Sequence, residues 1–203
     1  MTGTSETGTT GGTARGSQGD TVRDDLLELL RTHSLQTGEF VLASGQQSDY
    51  YIDARVTTMS GRGQQLIGLA ALRLLDENRL QPGLVGGLTM GADPVAYAIA
   101  HSASLAGRDI DAFSIRKASK GYGTGQRIEG AFDTTRDIVV VEDVVTSGGS
   151  ALEAVDVVRE AGGRVIAVLV VVDRQQGGRE RIEAKGLPLV ALFTVAELLG
   201  RAP

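Results

Sequence analysis

Two adjacent carboxylates, Glu142 and Asp143, follow four β-branched apolar residues and precede a short run of hydroxyls and glycines, Thr146-Ser-Gly-Gly-Ser150. A loop of that composition can turn its backbone N–H groups and the hydroxyls of Thr146, Ser147 and Ser150 toward one anion, and the start of a following helix adds free donors and a favourable dipole. The carboxylates would repel a phosphate placed beside them, so they suit sugar hydroxyls or a divalent metal. One site reading phosphate, diol and metal together points to a phosphorylated ribose. No Gly-Lys-Ser/Thr follows the strand and no G-x-G-x-x-G opens the helix, which sets the segment apart from Walker and dinucleotide loops. The competing reading is an ordinary buried strand with a serine-glycine turn; the carboxylate pair and the loop together weigh against it.

A second group of residues carries charge. Residues 116–130, Arg-Lys-Ala-Ser-Lys-Gly-Tyr-Gly-Thr-Gly-Gln-Arg-Ile-Glu-Gly, lack apolar periodicity. A connection this long within a domain is usually functional or disordered. Glycines at 121, 123 and 125 make it pliable, and Arg116, Lys117, Lys120 and Arg127 make it cationic within an acidic chain. A mobile cationic lid suits a polyanion such as diphosphate, whose charge grows as it leaves a sugar carbon. A solvated hairpin tip with incidental lysines is the alternative.

The elements that must position these groups follow from hydrophobic period. Residues 138–141 form a continuous apolar run, as in a strand buried on both faces of a parallel sheet. That places the carboxylates at a carboxyl end, where open α/β sheets bind ligands. Residues 1–20 contain no Leu, Ile, Val or Phe and are expected to be a disordered tail, with a regulatory arm as the alternative. Asp20 or Thr21 caps a first helix striped by Val22, Leu26, Leu27, Leu29 and Leu30. Short strands at about 40–43 and 50–53 flank a turn at 44–48, and a helix covers about 64–75. Strands then follow at 84–88, 111–115, 138–141, 165–172 and 189–193, with helices from about 92, at 150–161 and at 195–199. Pro94 suits a first helical turn, and Gly162-Gly163 ends the 150–161 helix. The alternation predicts an α/β fold with a mostly parallel central sheet flanked by helices and right-handed crossovers.

With 203 residues the chain is most simply one domain. Its net charge of −5 argues against a nucleic-acid binder. The absence of cysteine excludes disulfides and thiolate metal sites and fits a cytoplasmic location. Only His33 and His101 are present, on separate helices, so no histidine metal site is expected. No apolar run is long enough to span a bilayer and no signal-peptide core is present, so no membrane association is expected.

The strand, acidic pair and loop at 138–150 closely resemble the phosphoribosyl diphosphate (PRPP) motif of type I phosphoribosyltransferases. Arg116-Lys-x-x-Lys-x-x-Gly-x-Gly125, followed by Ile128-Glu-Gly130, is similar to the catalytic loop of the orotate phosphoribosyltransferase family. The hairpin Phe-x-Leu-x-Ser-Gly-x-x-Ser-x-Tyr-Tyr-x-Asp, from Phe40 to Asp53, looks like that family's N-terminal signature. The resemblance covers residues 21–199 in the expected order. It implies the type I phosphoribosyltransferase fold, as one domain over 21–203 with a helix-and-hairpin hood at about 21–58 and a catalytic loop at 116–130.

Carried over residue by residue, the resemblance implies that Arg116, Lys117 and Lys120 bind diphosphate. Lys120 and Asp143 are then the expected catalytic residues, Lys120 assisting diphosphate departure. Glu142, Asp143, Val144, Val145, Thr146, Ser147, Gly148, Gly149 and Ser150 would hold the ribose 5-phosphate portion, with the carboxylates at the diol. Thr146 and Arg174 would contact orotate, the guanidinium pairing with its carboxylate; a surface ion pair is the competing role for Arg174. Backbone around Tyr51 and Ile52 would line the base pocket. Mg²⁺ is the implied cofactor, bound mainly through PRPP near Glu142 and Asp143 rather than by a protein ligand set. A homodimer that shares the loop across subunits is implied.

This chain departs from the family pattern at three places. Tyr122, within the substrate-contacting loop, stands where a histidine is frequent, and Ala43 stands where a lysine often precedes Ser-Gly. Thr89-Met90 replaces a common Tyr-Lys pair, while Gly86 to Pro94 still looks like a variant of one branch of the family. The implied reaction is transfer of 5-phosphoribosyl from PRPP to orotate in de novo UMP synthesis. A phosphoribosyltransferase for another base, or a PRPP-sensing regulator, is the alternative.

Overall fold

The computed structural model describes residues 14–41, 45, 47–117 and 127–201, with the backbone alone over 14–20. In chain order the elements are α1 (Ala14–His33), β1 (Leu35–Val41), β2 (Gln47–Ile52), α2 (Arg55–Thr58), α3 (Gly61–Glu77), β3 (Leu84–Leu88), α4 (Ala92–Leu105), β4 (Asp111–Ile115), β5 (Ile128–Gly130), β6 (Asp137–Val145), α5 (Gly149–Glu160), β7 (Arg164–Asp173), α6 (Gly178–Glu183), β8 (Leu189–Thr194) and α7 (Val195–Leu198). The first helix already runs from Ala14, so residues 14–20 of the expected tail have helical backbone. Propagation from the docked half of a helix is far cheaper than nucleation, and 14–20 contains no proline to stop it. Residues 1–13 lie outside the described residues.

The central sheet has six strands in the order β5-β4-β3-β6-β7-β8. All pairings are parallel except that of β5 with β4. The β-branched strands bury both faces, as their unbroken apolar runs require. Val139 and Val141 of β6, Leu169 and Val171 of β7, and Leu192 of β8 point into one core, shared with Leu26 and Leu30 of α1, Leu66 and Ile67 of α3, and Val95 and Ile99 of α4. The alternate residues Ile138, Val140, Val168 and Val170 point into a second core with Ala154, Val155 and Val158 of α5 and Ile182 of α6. The period-two alternation of each strand thus splits its side chains between two helical layers.

The hairpin of β1 and β2 forms a separate antiparallel pair. It is tied to the main body by the bond from Asp53 N to Ser34 O at 2.9 Å and by the buried Ser34–Thr57 hydroxyl pair at 2.7 Å. Leu35 and Ile52 pack on the first core. None of the described helices is long and apolar enough to cross a membrane.

Chain order makes β3 the pivot. From β3 the chain moves outward to β4 and β5, then crosses to the other side of β3 for β6 and continues outward through β7 and β8. The loops after β3 and β6 therefore diverge and leave a crevice between them, the topological switch point of an open α/β sheet.

Candidate active site

The acidic pair sits in that crevice, but inside a strand rather than beyond one. β6 runs through both carboxylates to Val145, because β7 continues to pair with it up to Val145 opposite Asp173. β3 pairs with β6 only as far as Gly86 opposite Val140. Glu142 and Asp143 thus occupy a stretch of β6 paired along one edge and approached on the other by the start of α4. A Cβ placed on Gly91 would lie 2.5 Å from Glu142 Oε1 and 2.7 Å from Asp143 Oδ1. Only glycine allows this approach, which turns the positive end of the α4 dipole toward the two carboxylates.

Glu142 is 6 % exposed. Burial, reinforced by the charge of Asp143, pushes its pKa up to about 8, with Lys117 acting weakly the other way. In the free protein Glu142 therefore keeps its proton at neutral pH. Its Oε1 accepts from Asp143 N at 3.2 Å, and Asp143 Oδ1 accepts from Val144 N at 2.8 Å. Glu142 as an acid can both donate and accept, which suits a sugar hydroxyl.

The acidic pair borders a cavity of about 340 Å³ into which the two loops, the end of the hairpin and the strand after β6 converge. Glu142, Asp143, Val144, Thr146, Ser150, Lys117, Ile52 and Arg174, all expected at the site, line it. Val145 is buried beneath it. Ser147 and Gly149 are exposed on the loop rim, and Gly148 takes the left-handed backbone, φ 77°, that starts α5. The turn from strand to helix thus presents its backbone toward the cavity.

Arg174 carries a further anion signal. Its Nε and Nη2 are buried without a hydrogen-bond partner, and its guanidinium lies 5.1 Å from the ring centre of Tyr50. A buried cation without an acceptor is costly in a free protein. Such an arrangement fits an anion delivered by a ligand, and no ion pair of Arg174 is found among the described residues.

Arg116 and Tyr51, the latter expected to contribute its backbone, are not among the lining groups. Arg116 is exposed and pairs with Glu129 at 2.9 Å, away from the cavity lining. Tyr51 is 39 % exposed and packs its ring against Phe40 at 5.8 Å; alternation along β2 turns Tyr50 and Ile52 inward and Tyr51 outward. Arg127 donates to the carbonyls of Arg116 and Lys117 at 2.9 and 3.2 Å and to Glu153 at 2.5 Å, so it closes the base of the loop. Lys120 and Tyr122 lie outside the described residues.

Sequence reasoning missed several lining groups. Arg55 holds Asp53 through two bonds, at 2.8 and 3.0 Å, and both line the cavity together with Leu88, Thr89, Met90 and Gly91. The Thr89–Met90 peptide is cis. It also missed α6, which braces both loops from below. Arg179 Nε pairs at 3.0 Å with Asp173, a residue 1 % exposed, and Asp173 Oδ1 accepts from Gln175 N at 2.8 Å. Arg181 Nη1 donates to Ser147 O at 2.7 Å. A Cβ on Gly178 would lie 2.6 Å from Thr146 O and 3.0 Å from Gly148 N. Glycine pairs at a helix start are a sequence signal of close approach, and Gly177-Gly178 carried it.

Among the described residues no group of three or more His, Cys, Asp or Glu side chains could hold a metal ion. Two carboxylates beside a phosphate loop nonetheless fit Mg²⁺, which takes one or two carboxylates and fills its remaining positions with substrate oxygens and water.

The phosphoribosyl transferase domain matches residues 60–190. Orotate phosphoribosyltransferase of Aquifex aeolicus is 45 % identical, covering 87 % of this chain and 97 % of its own. The enzyme of that name from Streptomyces avermitilis is 46 % identical over 88 % of this chain and 98 % of its own. The crystal structure of Mycobacterium tuberculosis orotate phosphoribosyltransferase in complex with PRPP superposes with a TM-score of 0.75 at 42 % identity, covering 87 % of this chain and 98 % of that one. These relatives match the chain over 87–88 % of its length and nearly all of their own, and the chain belongs to the orotate phosphoribosyltransferase family.

Proposed function

We propose that this protein transfers the 5-phosphoribosyl group of PRPP to orotate, giving orotidine 5′-monophosphate and diphosphate, a step in UMP synthesis. The observation that carries the reading is the Arg174 guanidinium, whose buried, unpartnered donors share one cavity with the acidic pair and the phosphate loop. A purine or uracil has no carboxylate to satisfy them. Thr146 assists at the base, and the backbone and hydroxyls of 146–150 take the 5-phosphate at the start of α5. Glu142 and Asp143 take the ribose diol.

In the reaction the ring nitrogen of orotate gives up its proton to solvent or to the departing diphosphate and forms a bond to the anomeric carbon. The bond from that carbon to the diphosphate oxygen breaks, and its electron pair leaves with the diphosphate. Positive charge spreads over the carbon and ring oxygen in the transition state, so the protein's task is alignment and stabilisation of the leaving group. Lys117, at the cavity edge, and Lys120, three residues further along the sequence, supply cations for the diphosphate. Mg²⁺ held by substrate oxygens near Glu142 and Asp143 would add charge stabilisation there. A homodimer with the loop of one subunit closing over the site of the other is part of the proposal. It is supported by the likeness of residues 116–130 to the catalytic loop of the orotate phosphoribosyltransferase family. A cytoplasmic location is proposed too, because a sugar diphosphate of such charge does not enter a bilayer unaided.

The test is a panel of bases with PRPP and Mg²⁺. Orotate should be consumed only when PRPP and the metal are both present, with release of one diphosphate per nucleotide formed. Equal or faster turnover of hypoxanthine, guanine or uracil would overturn the substrate assignment. PRPP binding without turnover of any base would leave a sensor rather than an enzyme.

A further inference from the structure

Arg174 poses a problem that the carboxylate assignment alone does not solve. A guanidinium whose Nε and Nη2 are buried with no acceptor needs something other than hydrogen bonds from those atoms to keep it aimed at the cavity. The only described side-chain contact that orients its charge is the ring of Tyr50, 5.1 Å from the guanidinium carbon. That distance lies within cation–π range. Tyr50 is itself firmly set. It is 6 % exposed, its backbone carbonyl accepts from Ser48 Oγ at 2.7 Å, and its hydroxyl accepts from Gln176 Nε2 at 3.3 Å. Gln176 lies just beyond Arg174 on the turn that follows β7, so hairpin and turn clasp each other around the arginine.

We propose that Tyr50 is a positioning residue for base recognition, holding the Arg174 guanidinium by its face so that its in-plane donors stay free for the carboxylate of the base. The chemistry favours a ring over an acidic partner. A carboxylate would fix the arginine by occupying the fork that the ligand needs, whereas an aromatic face attracts the cation without using any N–H. The inference rests on the assignment of Arg174 to the base carboxylate and extends it to a residue on a different element. It also gives the hairpin a role in choosing the base.

The experiment uses the full chain and steady-state kinetics with orotate and PRPP. Stepwise fluorination of phenylalanine at position 50 keeps the ring's shape while draining the negative potential of its face. The Michaelis constant for orotate should rise with each fluorine, reaching about three- to thirtyfold, while that for PRPP stays within about twofold. Tyr50→Phe keeps the ring and should retain most of the orotate affinity. In an Arg174→Ala background the same fluorinated series should be flat, since Tyr50 acts through that arginine. A flat series in the wild-type background, or an equal rise in both backgrounds, would overturn the role of Tyr50. Absence of orotate turnover by the wild-type protein would instead overturn the reading on which the inference rests, so the two failures are distinct.

Discussion

Arg174 brings two buried, unpartnered donors to the cavity, and on the proposed function its removal should be felt by one substrate more than the other. Arg174→Ala is expected to raise the Michaelis constant for orotate by roughly ten- to a hundredfold, the loss of about 1.5–3 kcal/mol of charge-assisted bonding, with a smaller change for PRPP; equal changes in both would remove the arginine from the base pocket. Glu142 supplies a pH prediction. Its folded-state pKa is raised from 4.5 to about 8 by burial and by Asp143. The unfolded chain therefore loses this proton first, and the stability contributed by the group, fully present below about pH 4.5, drains away as pH rises through about 8. Glu142→Gln should flatten that window, so in metal-free buffer the variant's melting temperature should gain on wild type between pH 5 and pH 8. A constant offset across the range would show that Glu142 does not hold its proton. Glu142, Asp143, Thr146 and Ser150 were legible in the sequence because their charges and hydroxyls follow directly on an apolar run, whereas Arg174 was reached only through the family resemblance. Tyr50 and Arg55 were not, because their role comes from which way a strand faces and from a turn that folds back over another loop. Strict alternation from half-buried Ile52 would have turned Tyr50 inward.

The central-sheet strands and long helices were readable from period alone, whereas the hairpin strands expected at about 40–43 and 50–53 are β1, Leu35–Val41, and β2, Gln47–Ile52, each beginning earlier. Residues 84–88 and 111–115 are predicted and observed as β3 and β4, and the helix expected at 150–161 is α5, Gly149–Glu160. What escaped was short or continued past its apolar run. Four-residue α2, six-residue α6 and three-residue β5 are too brief to show a period, and the extension of β6 through Glu142 and Asp143 depends on the length of its neighbour β7 rather than on its own composition. The approach of α4 to that extension gives a prediction at this scale. Gly91→Ala must displace either the two carboxylates or the start of α4, since its Cβ would fall 2.5 Å from one of them. Overpacking of this kind typically costs about 1–3 kcal/mol of stability. Here it should also weaken PRPP binding more than orotate binding, readable as separate Michaelis constants. An unaltered PRPP constant would mean that the carboxylates tolerate the shift and that their placement is not critical.

For the whole molecule, the question is whether one chain makes one site. The proposed sharing of the loop separates the residues of a working centre between two subunits, with Lys120 from one and Asp143 from the other. Lys120→Ala should leave stability within about 0.5 kcal/mol, as for ordinary surface changes, yet slow the chemical step by roughly a hundred- to a thousandfold. Mixing Lys120→Ala subunits with Asp143→Ala subunits should then restore one intact site per heterodimer, measured as single-turnover rate against mixing ratio. No recovery after verified subunit exchange would make each chain self-sufficient.

The short helix α6 has a consequence for how such a protein can diverge. Arg179 steadies the turn that carries Arg174, and Arg181 steadies the loop at Ser147, both from six residues of chain. Base choice and sugar-phosphate grip thus stand on a common footing and are not free to drift independently. A lineage that lengthened the turn after β7 to admit a different base would disturb the phosphate loop unless α6 changed in step. New specificities in this scaffold should therefore arise by exchange of side chains on the existing turn more readily than by insertion into it.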